Sequence, residues 1–200
     1  MWKLLAECAL GALPSIPMRI IPRLSGAALA VALMLTGCVP TTTPPGPTPK
    51  PSGTPVFANE AEALAAATKA YAAYVKVSDE IFADGGIKAD RLKEVATGRQ
   101  LKTNIEGFAV ARSKDYRSSG GTKFDHVTLQ SFAPGQVDAL VMIYVCDDLS
   151  LVSVFNSLGE SVVSESRPDR AGYQATFSYS AKSPSHLLLS DKESWAGIAC

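Results

Sequence analysis

Chemistry has few places to reside in this 200-residue sequence, and the adjacent pair Asp125 and His126 is the first of them. A carboxylate beside an imidazole furnishes a general base when the pair faces an apolar pocket. Tyr71 or Tyr74 would then stand opposite, and desolvation would raise the carboxylate pKa toward the working range. The competing reading is two polar groups on the wet face of a strand. Asp147 and Asp148 suggest paired carboxylates or a calcium cluster, but neighbours on a strand point to opposite faces, which favours a strand-ending turn. Tyr71, Tyr74 and Tyr144 are candidate liners of a ligand pocket, although aromatic residues at helical spacing also serve as core. His186, next to Ser185, is expected in a loop or at a strand start. The sequence has no Gly-x-Ser-x-Gly, no His-Glu-x-x-His, no phosphate-binding glycine loop and no Cys-x-x-Cys. Hydrolase, zinc and nucleotide templates are therefore unsupported, and neither cofactor nor metal is expected.

The four cysteines sort by their surroundings. Cys38 closes the tetrapeptide Leu35-Thr36-Gly37-Cys38, which follows an uncharged run of twelve, Leu24 to Leu35, preceded by Arg19 and Arg23. A membrane-spanning helix needs roughly 20 apolar residues, whereas the apolar part of a secretory signal needs about 7 to 15. The tetrapeptide resembles the lipobox of bacterial lipoproteins. That resemblance implies cleavage before Cys38 and acylation of its thiol, and two or three acyl chains hold a protein durably at about 0.8 kcal/mol per buried methylene. Met18 begins a conventional signal by itself and Cys8, preceded by Glu7, fits no lipobox, so Met18 is the expected true start. The expected location is the outer, extracytoplasmic face of the cell membrane, with the membrane itself a partner through the lipid. Cys146 and Cys200 then remain in an oxidising compartment, where pairing is expected. Two free thiols or a metal pair are the alternatives, the latter with no histidine nearby in sequence.

Residues 39–55 hold 7 of the 13 prolines, interleaved with threonine, and show no apolar period. Such a stretch is an extended or disordered spacer of about 3.1 Å per residue, and its Thr-Pro density also suits O-linked sugar. The domain plan is therefore a signal over 1–37, a lipidated cysteine with a Pro/Thr linker over 38–55, and a globular domain over 56–200. Nineteen basic and 19 acidic residues balance, which argues against nucleic acid as a partner. Between Lys88 and Arg117 eight basic residues face four acidic ones, enough to meet anionic lipid or wall polymer, or to form a solvated helix face. Arg167 and Arg170 around Asp169 suggest a clamp for a carboxylate partner or, the favoured reading, a self-satisfied loop salt bridge.

The elements that must position these groups start with helices. Asn59 and Glu62 form a capping box before an apolar pattern running from Leu64 to Phe82, and Gly85-Gly86 ends it. A short helical stretch spans 89–96, and a third amphipathic run places Leu101, Ile105, Phe108 and Ala109 on one face. After Gly120-Gly121 the period becomes two. Strands are expected around Val127–Gln130, over 137–146, as a hairpin of 151–155 with 161–163, over Tyr173–Tyr179 and from His186 to Ser190. Cys146 is expected to face inward with Leu140, Met142 and Tyr144.

Helices first and an antiparallel sheet second is an α+β order. With its size, it resembles the cone of nuclear transport factor 2-like, ketosteroid-isomerase-like and polyketide-cyclase-like proteins, three helices packed on a curved sheet. With Tyr-Val-Cys-Asp-Asp at 144–148, Arg-Pro-Asp-Arg at 167–170 and terminal Trp195 and Cys200, the chain is also similar to small secreted lipoproteins of actinobacterial type. These resemblances imply a domain that binds an envelope protein or small ligand without catalysis. An isomerase- or cyclase-like enzyme using Asp125 or His126 as base is the alternative, and a structural subunit of an envelope complex is another.

Overall fold

Asn59 opens the first helix by accepting a hydrogen bond from the Glu62 amide at 3.0 Å, while the Glu62 carboxylate reaches back to the Ala58 N–H at 2.7 Å. One of the helix's orphan donors, the Glu62 N–H, and the N–H of the residue just before the cap are satisfied in this way. The computed structural model describes residues 55–200 except 134, 136–139, 184 and 198–199. The expected signal, Cys38 and residues 39–54 of the linker lie outside the described residues. Helix α1, Glu60–Ala83, buries Ala63, Ala67, Tyr71, Tyr74 and Ile81 along one stripe. It stops where Gly85 and Gly86 take positive φ and the Gly86 N–H donates to the Ile81 carbonyl at 2.8 Å. A Cβ on Gly86 would lie 2.3 Å from the Phe108 carbonyl oxygen, so the chain turns there at a place only glycine fills.

The second helical stretch is a 3-10 turn, Ala89–Glu94, and α2 follows as Gly98–Ser113. The buried face of α2 is rotated from the expected one: Gln100, Phe108 and Ala111 are buried, whereas Ala109 is exposed. The cause is polar. Gln100 Nε2 and Asn104 Nδ2 donate to the Tyr74 hydroxyl at 2.7 and 2.6 Å, turning that side of α2 inward.

Six strands follow: β1 Arg117–Ser119, β2 Lys123–Ala133, β3 Leu140–Asp148, β4 Ser153–Phe155, β5 Arg170–Tyr179 and β6 Leu187–Ser194. The main sheet is antiparallel in the order β2-β3-β5-β6. The architecture is thus α+β, with helices before an antiparallel sheet. The expected hairpin of 151–155 with 161–163 is reduced to one bridge, Phe155 to Ser161, and β4 pairs with β1 instead. Asn156 accounts for the change, because its side-chain oxygen accepts from the Leu158 and Glu160 amides and so shapes a loop where a second strand would run.

Strand β3 is apolar on both faces, and Val141, Ile143 and Val145 are the residues turned toward α1. Cys146 does share a face with Leu140, Met142 and Tyr144, but that face is the outer one, so the inward assignment is corrected. The hydrophobic core takes the alternate residues, joined by Tyr71, Ile81, Leu92, Phe177 and Leu189. The far edge of β6 is covered. Leu189 pairs with Ala96 in a parallel bridge, and Thr97 and Val95 exchange backbone hydrogen bonds with Leu189 at 2.8 and 3.0 Å. That pairing covers the sheet edge at Leu189.

Candidate functional site

The outer face of the sheet gathers most of the residues able to do chemistry. Asp125 stands opposite Cys146 in the β2–β3 register. In a regular strand His126 would point to the other side, but it takes φ of 50° in a bulge between Asp125 and Thr128, and its Nδ1 lies 2.6 Å from Asp125 Oδ1. Arg170, from β5, donates through Nη2 to the same oxygen at 2.5 Å and through Nε to the Cys200 main-chain oxygen at 2.7 Å. Its Nη1 lies 3.5 Å from Asp148. Cys146 and Cys200 are joined by a disulfide. The pairing expected from compartment is thus present, and the last residues cross the outer face to reach it. Trp195, in that crossing segment, stacks on Tyr144 with ring centroids 5.3 Å apart.

The electrostatics of this face oppose base catalysis. The hydrogen bond from His126, and then that from Arg170, hold the Asp125 carboxyl below the usual carboxylate range. Hydrogen bonds from Ser150 do the same for Asp148, and Asp125 raises Arg170. A general base works best when its pKa lies near the operating pH, whereas Asp125 is shifted away from it and stands half exposed.

Tyr71 and Tyr74 lie on the other side of the sheet. Tyr71 donates its O–H to Asp147 Oδ1 at 2.8 Å, and Lys192 Nζ sits 2.5 Å from Asp147 Oδ2 and 3.9 Å from the centre of the Tyr173 ring. Burial first, and then the charge of Asp147, push the Tyr71 hydroxyl well above its ordinary value. The Tyr74 hydroxyl is engaged by Gln100 and Asn104. Both phenols are core groups with their polar ends used, and neither stands opposite Asp125 or His126. The structure thus brings Asp125, His126, Tyr144 and the disulfide together on one face and leaves Tyr71 and Tyr74 out.

Two further expectations are revised. Asp147 and Asp148 do point to opposite sides, but Asp147 is a buried partner within β3 and not a turn residue. Arg167 donates to the carbonyls of Leu149 and Val152 at 3.0 and 2.8 Å, holding the β3–β4 turn, and Arg170 meets Asp125 and Asp148, so the partners found for both arginines are groups other than Asp169. His186 lies in the β5–β6 turn with φ of 60°, beside Tyr179. Two members of the basic stretch meet acidic side chains of the same chain: Arg91 meets Glu80 and Asp84, and Arg99 meets Asp191 and Glu193. An open cleft of about 420 Å³ and a smaller one of about 180 Å³ share Glu94 and Ser183 near that turn, and none of the sequence candidates lines them.

No protein-family profile matches the chain, and no curated protein matches it. Among solved structures the chain is similar to the intermembrane-space region of the chloroplast protein ARC6, with a TM-score of 0.48 and 15% identity over 67% of this chain and 97% of that one. Nothing about the chemistry of the present chain rests on that likeness.

Proposed function

We propose that the chain is a membrane-anchored envelope lipoprotein whose folded domain binds a partner protein without acting chemically on it. Export and anchoring are supported by the short apolar run and by Leu35-Thr36-Gly37-Cys38. The Cys146–Cys200 disulfide suits an oxidising compartment. Among the described residues no helix is long and apolar enough to cross a membrane. Helices ahead of a four-stranded antiparallel sheet support placing the domain with the nuclear transport factor 2-like cones.

The observation that carries the binding reading is the aromatic and apolar patch on the outer face. Trp195 is 42% exposed over Tyr144, and Leu140, on the same face, is 43% exposed. Tryptophan and tyrosine dominate binding energy at protein interfaces because they bury much area at little entropic cost. Thr128 and Gln174 flank Tyr144 in the strand register and supply a polar surround. The enzyme alternative would need Asp125 or His126 in a closed apolar pocket, and both are exposed.

The test uses the acylated protein in its native membrane, with its mass confirming lipid on Cys38. A photo-crosslinking side chain is placed at Met142 or, as control, at the exposed Glu106 of α2. Protein adducts at position 142 that are absent at 106 and lost with Trp195→Ala are expected. Equal labelling at both positions, no adduct at 142, or release by the wild type equal to that of Cys38→Ala would overturn the reading.

A further inference from the structure

The sheet register accomplishes what the linear sequence withheld: it brings a histidine to the cysteine pair. Asp125 faces Cys146 across β2 and β3, and the bulge swings His126 onto the same side. One carboxylate oxygen of Asp125, one ring nitrogen of His126 and the sulfur of Cys146 lie within 4.8 Å of one another. The Cys200 sulfur is bonded to that of Cys146. We propose that reduction of the Cys146–Cys200 disulfide converts this cluster into a zinc site of two thiolates, one imidazole and one carboxylate. The redox state of the pair then selects between a covalent staple and a metal clasp at the same point of the fold.

The chemistry balances with a dithiol as reductant. Its thiolate attacks one sulfur of the pair and its second thiol resolves the mixed disulfide. The reductant leaves as its own disulfide, and the protein gains two electrons and two protons as the thiols of Cys146 and Cys200. Zinc binding expels those two protons and forms two Zn–S bonds of about 2.3 Å, with nitrogen and oxygen ligands at about 2.0–2.2 Å. Reoxidation by a small-molecule disulfide, which takes up the two electrons and leaves as two thiols after gaining two protons from solvent, forms the S–S bond again and releases the ion, because a disulfide sulfur is no longer a thiolate ligand.

Three features of the face fit this ion. Four ligand atoms of these types match the tetrahedral sulfur, nitrogen and oxygen set that zinc takes. Ligand atoms in such a site lie roughly 3.3–3.8 Å apart given those bond lengths, so the Asp125, His126 and Cys146 atoms must close by about 1 Å and the two sulfurs must move apart once their bond is broken. The side chains that would move are free to do so: His126 and Asp125 are 64% and 49% exposed, and Cys200 lies in the crossing segment, not in a strand. Two thiolates and one carboxylate around a divalent ion leave one negative charge, and the Arg170 guanidinium already rests against Asp125 to offset it. Buried Cys146 anchors the inner side, where water is excluded.

The test uses the full chain with Cys8→Ser and Cys38→Ser, so that only the pair offers thiols. The protein is reduced with a phosphine under exclusion of oxygen and titrated with cobalt(II), then with zinc(II) against a chromophoric chelator. Reduced protein is expected to take one equivalent of cobalt, with a thiolate-to-cobalt charge-transfer band in the near ultraviolet that zinc abolishes. Oxidised protein is expected to show no such band. His126→Ala and Asp125→Asn change exposed side chains, and each is expected to weaken zinc at least 10-fold in the reduced state, with the folded circular dichroism spectrum kept. Zinc binding no tighter in the reduced than in the oxidised chain overturns the proposal. So does wild-type affinity in both single variants, or a reduced chain that unfolds and is not refolded by zinc.

Discussion

At the scale of single residues, the most demanding arrangement is the carboxylate of Asp147, which is 3% exposed between the Tyr71 hydroxyl and the Lys192 ammonium. A buried charge is tolerated when its partners replace the water it loses, and removing one partner leaves the other uncompensated at a cost of about 3–5 kcal/mol. Asp147→Ala should therefore destabilise the domain by about that amount, because the Lys192 ammonium would lose its carboxylate and be left over the Tyr173 and Tyr71 rings. Tyr71→Phe removes one hydrogen bond to a charged acceptor, worth about 1.5–3 kcal/mol. The pH dependence follows from the raised Tyr71 value, caused mainly by burial and then by Asp147. A group whose folded pKa is raised contributes stability that is fully present below its unfolded value, about 10 for tyrosine. That contribution is lost as pH rises through the folded value. The stability gap between wild type and Tyr71→Phe should hold constant from pH 7 to about 9.5 and narrow above about pH 10. Denaturant unfolding of both proteins across that range checks it; a gap that persists unchanged at high pH would refute the assignment.

At the scale of elements, the local signals that a reader of sequence can use proved uneven, and the reasons are physical. The bounds of α1 were legible because its start and stop are written in side-chain and backbone chemistry: Asn59 and Glu62 at one end, Gly85 and Gly86 at the other. Gly86→Ala tests that stop. Alanine at φ of 79° pays for a left-handed conformation, about 1–2 kcal/mol, and its Cβ would meet the Phe108 carbonyl carbon and oxygen. A loss of more than 2 kcal/mol in thermal or urea unfolding is expected, since backbone, unlike a flexible side chain, cannot step aside cheaply. What could not be read is equally specific. The burial of Gln100 depends on Tyr74 of another helix, and the burial of Asp147 depends on Lys192, a residue 45 positions away. Strand β3 has apolar residues at both alternations, so its pattern could not say which face meets the helices. That is why Cys146 and Tyr144 are expected from the sequence to face inward, whereas they lie on the outer face, where Asp125 and His126 hold the polar position that one of their two readings gives them.

At the scale of the molecule, the sheet separates two environments: one face closed by the helices, the other crossed by the terminal segment and stapled to it. The staple joins positions 54 residues apart, and in the chain-entropy account closing such a loop restricts the unfolded state by about 4 kcal/mol. On the folded side it holds Trp195 over Tyr144, so the aromatic patch proposed for binding exists only while the segment stays in place. The backbone N–H of Trp195 donates to the Gly172 carbonyl at 2.9 Å, and Arg170 holds the Cys200 main-chain oxygen, but a single backbone bond and one partly buried cation are weak restraints without the disulfide. Cys200→Ser should therefore lower stability by about 2–5 kcal/mol and free the segment after Ser194, with the helices and the four-stranded sheet unchanged. Trp195 reports this directly in a protein that lacks residues 1–37, where it is the sole tryptophan. Collisional quenching of its emission should rise in Cys200→Ser, and hydrogen exchange should speed up at Trp195 and beyond but not in β3 or β5. Unchanged quenching with unchanged stability would mean that packing of Trp195 on Tyr144 holds the segment by itself, and that the disulfide is dispensable to this face.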